Sequence, residues 1–277
     1  MGKLENKVAV ITGGVSGIGL ATVELFVAEG ASVVVGDIQD DLGADLETRF
    51  PGKVVYKFTD VTDDAAIEAL VDTAVDRFGK LDIMFNNAGT GGDRAAIVDL
   101  TAEGMSKTLA LLTTSVVSGH KYAGRQFLKQ GTGGSIISTA SAAGIEGGWS
   151  SAAYTVAKHS VLGIVRQAVA EFGRDNIRSN AICPGVIMTP IMASAFGITA
   201  DKASEFETFL AARLAKTQPG GRVGYPRDIA EVAVFLGSDS SAYVNGAVIP
   251  VDGGCTAVTM GTFATEAVQA AEEFLAR

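Results

Sequence analysis

The sequence predicts an α/β fold with one doubly wound parallel sheet of about seven strands, flanked by helices on both faces. Short runs rich in β-branched residues alternate along the chain with longer amphipathic segments. Runs such as VAVIT and SVVVG are apolar at nearly every position, which is typical of parallel strands that are buried on both faces. Right-handed crossovers would place all of these strands in one sheet. Strands are predicted at 7–12, 31–37, 53–60, 81–86, 133–139, 177–183 and 246–251.

Residues 1–277 are predicted to form a single domain. A doubly wound sheet commonly reaches this length as one unit, and a hydrophobic content of 47% is sufficient for its core. The sequence contains no internal repeat, low-complexity linker or evident domain boundary. The segment 187–224 interrupts the alternation between the sixth and seventh strands, and a helical pattern begins in it near Thr199. Its large apolar residues include Ile191, Met192, Phe196, Phe206, Phe209 and Leu210.

The first predicted strand runs into a glycine-rich turn, and a helical pattern begins at Gly17. Gly13, Gly17 and Gly19 would let the backbone approach a pyrophosphate at the positive N-terminal end of that helix. A glycine-rich loop alone is weak evidence, because Gly14 or Gly19 could instead serve only the turn or the helix packing. The second strand ends at Asp37, close to where an acidic residue would bind the ribose hydroxyls of an adenosine.

The stretch YTVAK places Tyr154 and Lys158 four residues apart, so both side chains lie on one face of a helix. A fixed ammonium group beside a phenol favours the phenolate, which makes the tyrosine a plausible general acid/base near neutral pH. The spacing alone is weak evidence, because any two helical residues four apart satisfy it. Ser141 follows an apolar run that predicts a buried strand, and it would add a third polar group to the pair.

Together and in this order, these motifs resemble the short-chain dehydrogenases/reductases, in the form with a TGxxxGxG cofactor loop and a YxxxK active site. The resemblance runs from about Lys7 to Gly254 and implies a Rossmann-type fold, a nicotinamide cofactor and a substrate lid over 187–224. It implies the catalytic residues Ser141, Tyr154 and Lys158. The cofactor-binding residues that it implies are Gly13, Ser16, Gly17, Ile18, Gly19, Asp37, Asp60, Val61, Asn87, Ala88, Gly89, Tyr154, Lys158, Pro184, Gly185, Val186, Ile187 and Thr189.

One position departs from the family pattern. The family has an asparagine in the helix after NNAG, and Leu112 stands where it is expected. A leucine keeps its backbone carbonyl but offers no side-chain group to a proton-relay water. A register shift of one residue would place Thr113 there instead. We interpret Leu112 as a core residue, with the relay water held by the backbone alone.

The predicted cofactor is NAD, not NADP. Asp37 would repel a 2′-phosphate and accept hydrogen bonds from a ribose diol. Val15, Ser16 and Ile38 provide no arginine or lysine to bind such a phosphate.

The predicted function is the NAD(H)-dependent interconversion of a secondary alcohol and a ketone. The apolar lid favours a bulky or cyclic substrate such as a hydroxysteroid-like, cyclic or aryl alcohol, although the same side chains could simply pack the lid onto the domain. Two alternatives remain open. One is a nicotinamide-binding pseudo-enzyme or redox sensor, suggested by Leu112. The other is a non-redox epimerase or dehydratase on the same fold.

The composition argues against several other classes. A net charge of −9 is unsuited to a nucleic-acid surface, and no apolar run reaches the ~20 residues of a membrane span. Cys183 and Cys255 cannot form a disulfide framework, and no signal peptide is evident, so we expect a cytoplasmic protein. His120 and His159 fall in different predicted helices, and no ligand cluster predicts a metal site.

The resemblance also implies a homo-oligomer, most often a tetramer. Helices at about 101–128 and 150–173 would form one two-fold interface, and the segment from Val251 to Gly254 would contribute to another. The expected partner is a small apolar alcohol or ketone, with no nucleic acid or membrane.

Overall fold

The computed structural model describes residues 2–189, 192–193, 197–258 and 263–276. A seven-stranded parallel sheet with the order β3-β2-β1-β4-β5-β6-β7 lies at its centre. The strands are β1 (Val8–Thr12), β2 (Ser32–Asp37), β3 (Val54–Phe58), β4 (Ile83–Asn86), β5 (Gly134–Thr139), β6 (Ile177–Pro184) and β7 (Val248–Val251).

Helices follow the strands along the chain, as the alternating pattern predicts. A π-helical segment, Ala110–Thr114, joins α4 to α5. The α-helices are α1 (Gly17–Ala28), α2 (Asp40–Arg49), α3 (Asp64–Phe78), α4 (Ala102–Leu109), α5 (Ser115–Gln130), α6 (Ala152–Phe172), α7 (Ala200–Ala215), α8 (Pro226–Gly237) and α9 (Phe263–Leu275).

Strand β1 shows why its residues are apolar without alternation. Successive side chains of a strand point to opposite faces of the sheet. Ile11 belongs to the hydrophobic cluster that includes Phe26 of α1, whereas Val10 belongs to the cluster that includes Leu70 of α3. Both β1 residues are fully buried. The sheet therefore has a packed core on each face.

The strand order reverses beside β1. The chain moves outward from β1 to β3 and then returns to place β4 on the other side of β1. Such a reversal leaves a crevice outside the carboxyl ends of the two central strands, where doubly wound folds bind ligands. The turns after β1 and β4 both open at this edge.

The structure confirms the predicted fold class and all seven predicted strands, with ends that differ by up to two residues. Helix α7 begins directly after Thr199, as predicted. The π-helical segment and α9 were not predicted. Ile191 and Phe196 of the predicted lid lie outside the described residues. Among the described helices, none has both the length and the hydrophobicity needed to cross a bilayer.

Candidate active site

The turn between β1 and α1 is shaped by glycines. Gly13 has a φ of +67°, a conformation that side-chain-bearing residues rarely adopt. A Cβ atom on Gly19 would collide with the carbonyl oxygen of Gly13, so the helix can start this close to the turn only with glycine there. Ser16 precedes α1 but makes no side-chain capping hydrogen bond. The first-turn amides of α1 are therefore not capped by this side chain and suit an anionic group.

Thr12 and Asn87 fasten the carboxyl ends of three strands together. The Thr12 hydroxyl accepts hydrogen bonds from the amides of Asn87 (3.0 Å) and Ala88 (3.1 Å). The Asn87 side-chain amide donates to the carbonyls of Thr12 (3.1 Å) and Gly13 (3.2 Å). Its oxygen accepts a bond of 3.2 Å from the Thr139 hydroxyl at the end of β5. Sequence reasoning assigned no role to Thr12, although its place between a buried strand and a glycine was an available signal.

Asp37 is the last residue of β2 and is only 7% exposed. Its carboxylate accepts hydrogen bonds from the amides of Ile38 (2.8 Å) and Gln39 (3.2 Å). A longer bond of 3.3 Å from the amide of Val15 ties the carboxylate to the glycine turn. The structure thus places an acidic group beside the predicted pyrophosphate turn, at the carboxyl edge of the sheet.

Asp60 and Val61, which the family resemblance implies as cofactor-binding residues, follow β3. Val61 is buried, at 7% exposure, whereas Asp60 is exposed. The Asp60 carboxylate accepts hydrogen bonds from the amide (2.9 Å) and the hydroxyl (2.7 Å) of Thr62. The turn that Asp60 begins is therefore held by its own side chain.

The loop after β6 carries the remaining predicted cofactor residues and reaches back to the glycine turn. A Cβ atom on Gly17 would lie 3.4 Å from the Thr189 side chain, so these two predicted contacts are neighbours. The loop is held from behind by Gly224, which donates to the carbonyl of Val186 (2.9 Å) and accepts from the amide of Met188 (2.9 Å). Along this loop lie Pro184, Gly185, Val186, Ile187 and Thr189.

A cavity of about 370 Å³ adjoins this loop. Val186 and Ile187 line one part of it, and the segments 220–224 and 251–253 line others. Arg222 binds both carboxylate oxygens of Asp228 at 2.7 Å beside the cavity. This ion pair fixes the start of α8 against the end of the lid.

The three predicted catalytic residues are brought together by β5 and α6. Ser141 follows the end of β5, and Tyr154 and Lys158 occupy successive turns at the start of α6. Lys158 is 5% exposed, and its Nζ atom donates a 2.7 Å hydrogen bond to the carbonyl oxygen of Thr139. The same atom lies 5.6 Å from the centre of the Tyr154 ring. Burial lowers the pKa of Lys158 to about 8.

The Tyr154 phenol differs from the expectation that Lys158 favours its ionised form. Burial raises the pKa of Tyr154, and a hydrogen bond with the Ser141 side chain lowers it by less, so the net change is upward. Desolvation disfavours a phenolate. In this structure the ammonium group of Lys158 is bonded to a strand carbonyl instead of the phenol. The four-residue spacing indicated that Tyr154 and Lys158 share a helix face, but it did not indicate that the Thr139 carbonyl would bind Lys158.

Cys183 lies close to the same residues but is fully buried. Burial raises the pKa of its thiol to about 11, opposed by the Ser141 backbone and the Lys158 charge. A protonated, inaccessible thiol is a poor nucleophile. Cys183 is therefore a packed residue of β6.

Leu112 lies in the π-helical segment and is 1% exposed. A Cβ atom on Gly89 would lie 2.9 Å from Leu112 Cδ2, so the side chain packs against the turn that follows β4. The neighbouring Thr113 donates a hydrogen bond of 3.3 Å to the carbonyl of Ala157 in α6. Leu112 is therefore a core residue beside the predicted cofactor turn, as the sequence interpretation favoured.

The two histidines lie in α5 and α6 and have separate surroundings. His120 is buried, with Nδ1 2.8 Å from the Val116 carbonyl and Nε2 2.9 Å from the Ser179 hydroxyl. His159 is exposed, and its Nδ1 lies 2.9 Å from the Thr155 carbonyl. Within the described part of the chain, no three histidine, cysteine, aspartate or glutamate side chains are grouped as a metal site would require.

Comparisons with known proteins agree with this geometry. A family model described as enoyl-(acyl carrier protein) reductase matches residues 13–256. Momilactone A synthase of Oryza sativa subsp. japonica is 43% identical over 258 residues, which cover 92% of each chain. The 2,5-dichloro-2,5-cyclohexadiene-1,4-diol dehydrogenase of Sphingobium indicum is 36% identical over 93% of this chain and 100% of its own length. A crystal structure of levodione reductase matches with a TM-score of 0.83 and 35% identity, covering 92% of this chain and 100% of that chain.

Proposed function

Because the chain belongs to the short-chain dehydrogenase/reductase family, we propose that it interconverts a secondary alcohol and a ketone with NAD(H) as its cofactor. The observation that carries this proposal is the grouping of Ser141, Tyr154 and Lys158 at the carboxyl edge of the sheet. The glycine turn opens at the same edge. The proposed catalytic residues and the proposed cofactor site would therefore lie in one crevice.

The glycine turn and Asp37 fit a dinucleotide. Glycine at position 19 lets the first turn of α1 lie directly against Gly13, so no side chain of residue 19 stands between the turn and a pyrophosphate at the helix N-terminus. The Asp37 carboxylate accepts a hydrogen bond of 3.3 Å from the Val15 amide in the glycine turn, so it would lie near the ribose that adjoins a bound pyrophosphate. A bound nicotinamide would supply the hydride acceptor or donor. The negative charge of Asp37 supports NAD, because it disfavours a 2′-phosphate.

Tyr154 is proposed to exchange the proton of the substrate hydroxyl. Its phenol takes this proton during oxidation and returns it during reduction. Ser141 lies beside the phenol and lowers its pKa through a hydrogen bond in this structure. With substrate bound, its single hydroxyl proton would be donated to the substrate oxygen instead, stabilising the charge that develops there. Lys158 Nζ lies 5.6 Å from the centre of the tyrosine ring. Its positive charge would oppose the rise in the Tyr154 pKa that burial causes if the ammonium group approached the phenol oxygen. Lys158 would also bind the nicotinamide ribose.

A bulky, largely apolar and cyclic substrate is the proposed class. One relative is named for a cyclohexadiene-diol, and another matched structure is named for levodione. In the lid, Met188 is 5% exposed and Met192 is half-buried, so the segment offers apolar thioether side chains. Each additional buried CH₂ of a substrate would contribute up to ~0.8 kcal/mol to binding. The value of kcat/KM should therefore increase from short acyclic alcohols to polycyclic ones.

The test is a steady-state assay with NAD and a panel of acyclic, cyclic and polycyclic secondary alcohols. Reduced nicotinamide should form in equimolar amount with the ketone, and Tyr154→Phe provides the background rate. Binding of NAD without turnover of any alcohol or ketone would instead support a pseudo-enzyme. A product formed without net change in nicotinamide absorbance would support an epimerase or dehydratase.

A homotetramer is proposed on the family resemblance, with α5 and α6 at one interface. Val117 and Val156 on these helices are 45% and 46% exposed, as an interface between copies would require. Analytical ultracentrifugation tests this assembly, and a monomer would contradict it. The cytoplasmic location stays a prediction.

A further inference from the structure

Ser151 connects the active-site helix to the loop that follows β4. It is the N-cap residue of α6, and its hydroxyl oxygen accepts a hydrogen bond of 3.4 Å from the backbone amide of Tyr154. The same hydroxyl donates its proton to the carbonyl oxygen of Asp93 at 2.5 Å. One side chain therefore caps the helix that carries Tyr154 and binds the 87–101 loop.

The amide of the same residue, Asp93, is held from the opposite side. It donates a hydrogen bond of 2.9 Å to the hydroxyl of Thr108 in α4. Thr108 is 3% exposed and donates its own proton to the carbonyl of Gly104 at 2.9 Å, which leaves its oxygen lone pairs to accept from Asp93. Both backbone polar groups of Asp93 are thus bound by hydroxyls, one from α4 and one from α6.

The packing around Asp93 is close enough to make this position specific. A Cβ atom on Gly92 would lie 2.6 Å from Thr108 Cγ2, and a Cβ atom on Gly104 would collide with the Asp93 carboxylate. The Asp93 carboxylate also accepts a hydrogen bond of 2.8 Å from the amide of Ala95. Gly92 also has a φ of +63°, which favours glycine on the loop, and Gly104 leaves room for the Asp93 carboxylate beside α4.

We infer that Ser151 is a positioning residue for Tyr154 and that, with Thr108, it forms a clamp on Asp93 that sets the wall of the substrate site. Asn87, Ala88 and Gly89, the predicted cofactor-binding residues after β4, are only four to six residues before Asp93 in the chain. A loop of this length without regular structure is ordinarily mobile unless tied down. The clamp fixes the loop to the first turn of α6, so the phenol and the loop keep one relative position.

This inference rests on the proposed alcohol oxidation. Two variants test its two parts separately, the positioning of Tyr154 and the fixing of the loop. Ser151→Ala removes the bond to Asp93 and the cap beside Tyr154. Thr108→Val removes the acceptor for the Asp93 amide and the bond to the Gly104 carbonyl within α4, but leaves the cap beside Tyr154 in place. The first variant should lower kcat about tenfold because the reacting phenol loses its fixed position. The second should raise KM several-fold with kcat within about twofold of wild type, because it frees the loop without moving the phenol.

The experiment measures kcat and KM for both variants and hydrogen–deuterium exchange of the peptide that spans 89–100. Both variants should increase exchange in this peptide. Ser151→Thr retains the hydroxyl and should restore kcat to within about twofold. Ser160→Ala is the matched control, because the Ser160 hydroxyl on the same helix bonds the Val156 carbonyl and no other group among the described residues. It should leave kcat, KM and exchange unchanged.

Wild-type kcat and wild-type exchange in Ser151→Ala would overturn the inference. If Ser151→Ala does not fold, unchanged KM and exchange in Thr108→Val would overturn it equally. Wild-type protein that turns over no alcohol would contradict the proposed function, and the exchange data would then decide for or against the clamp on their own.

Discussion

Lys158 Nζ donates its 2.7 Å hydrogen bond to the carbonyl oxygen of Thr139, the last residue of β5. The Thr139 hydroxyl in turn bonds Asn87, so the cation is fixed to the same strand ends that carry the predicted cofactor turn. The lysine is almost fully buried, and its ammonium group is bound by a carbonyl oxygen, with no ion pair to a carboxylate among the residues that the structure describes. A group held in this way is costly for stability and is typical of functional sites.

The cost of that burial predicts a more stable but inactive variant, Lys158→Met. In the folded chain the pKa of Lys158 is lowered to about 8, whereas the unfolded chain keeps the ordinary value of 10.5. Below pH 8 the folded state therefore carries an unfavourable buried charge. Removing it should raise the free energy of unfolding by about 2 kcal/mol at pH 7, after allowing for the lost bond to Thr139.

The pH dependence of the stability difference between wild type and Lys158→Met provides the control. Between pH 8 and 10.5 the unfolded state binds the proton that the folded state has lost, so wild-type stability rises with pH in this window. The advantage of Lys158→Met should shrink over the same range in urea unfolding. A variant less stable than wild type at pH 7 would contradict the prediction.

Tyr154→Phe should lower kcat by about 10³-fold, since a positioned acid/base contributes factors of ~10²–10⁴. The change removes one hydroxyl and leaves the ring in place, so NAD affinity measured by calorimetry should stay within about twofold of wild type. Ser141 would lose its hydrogen-bond partner without losing its own position as the cap of a 3₁₀ turn, Ala142–Gly144. Retention of wild-type kcat would refute the role of Tyr154.

The sequence predicted which of these residues lie close together better than it predicted their burial and their pKa shifts. The four-residue spacing placed Tyr154 and Lys158 on one helix face, because helical geometry is local. The carbonyl that receives Lys158 depends on where β5 ends relative to α6, which is a tertiary relationship. Burial of Tyr154 is also tertiary, and it reverses the expected direction of the pKa shift in this structure.

The strands could be predicted because their signal is also local in the sequence. Strands buried on both faces are nearly all apolar, and that pattern is visible in β1 and β2 without any knowledge of their partners. The π-helical segment Ala110–Thr114 has no comparable signal, because one extra residue per turn leaves the composition unchanged. Helix α9 lies beyond the segment that resembles the family. Its apolar residues Val268 and Phe274 are exposed, so they do not form a buried face against the core.

Asp37→Ala should relax the preference for NAD. The substitution removes the negative charge that would repel a 2′-phosphate and the acceptor for the ribose diol. The ratio of kcat/KM for NADP to that for NAD should rise about 10- to 100-fold, mainly through weaker use of NAD. Gln39→Ala is a suitable control, because it removes a side chain that bonds Asp37 at 3.3 Å but leaves the carboxylate. Comparable kcat/KM for the two cofactors in wild type would refute the NAD assignment.

His120 should make the folded chain sensitive to mild acid. Burial lowers its pKa to about 4, against an ordinary value of 6.5, and the bond to the Val116 carbonyl opposes the shift only in part. The unfolded state therefore binds a proton that the folded state rejects, and stability falls as pH drops from 6.5 towards 4. At pH 5 this one group should lower the free energy of unfolding by about 2 kcal/mol relative to neutral pH.

His120→Gln tests this directly, because glutamine does not titrate and can still offer a donor and an acceptor. The variant should lose stability at pH 7 through imperfect bonds to Val116 and Ser179. Its disadvantage should become smaller by about 2 kcal/mol at pH 5. Parallel pH profiles for wild type and variant in urea unfolding would show that His120 is not the group responsible.

Leu112→Asn should destabilise the chain without improving the proton relay. Leu112 is 1% exposed and packs beside Gly89, so an asparagine there would bury an amide among apolar contacts and leave part of the leucine volume empty. Such changes cost about 2–4 kcal/mol in a well-packed core. Leu112→Met keeps the volume and polarity and should cost less than about 1.5 kcal/mol. The two variants should therefore separate in urea unfolding, while kcat per folded molecule stays near wild type in both. A higher kcat in Leu112→Asn with unchanged stability would contradict the core assignment, because it would require the amide to reach a water that exchanges protons with Lys158.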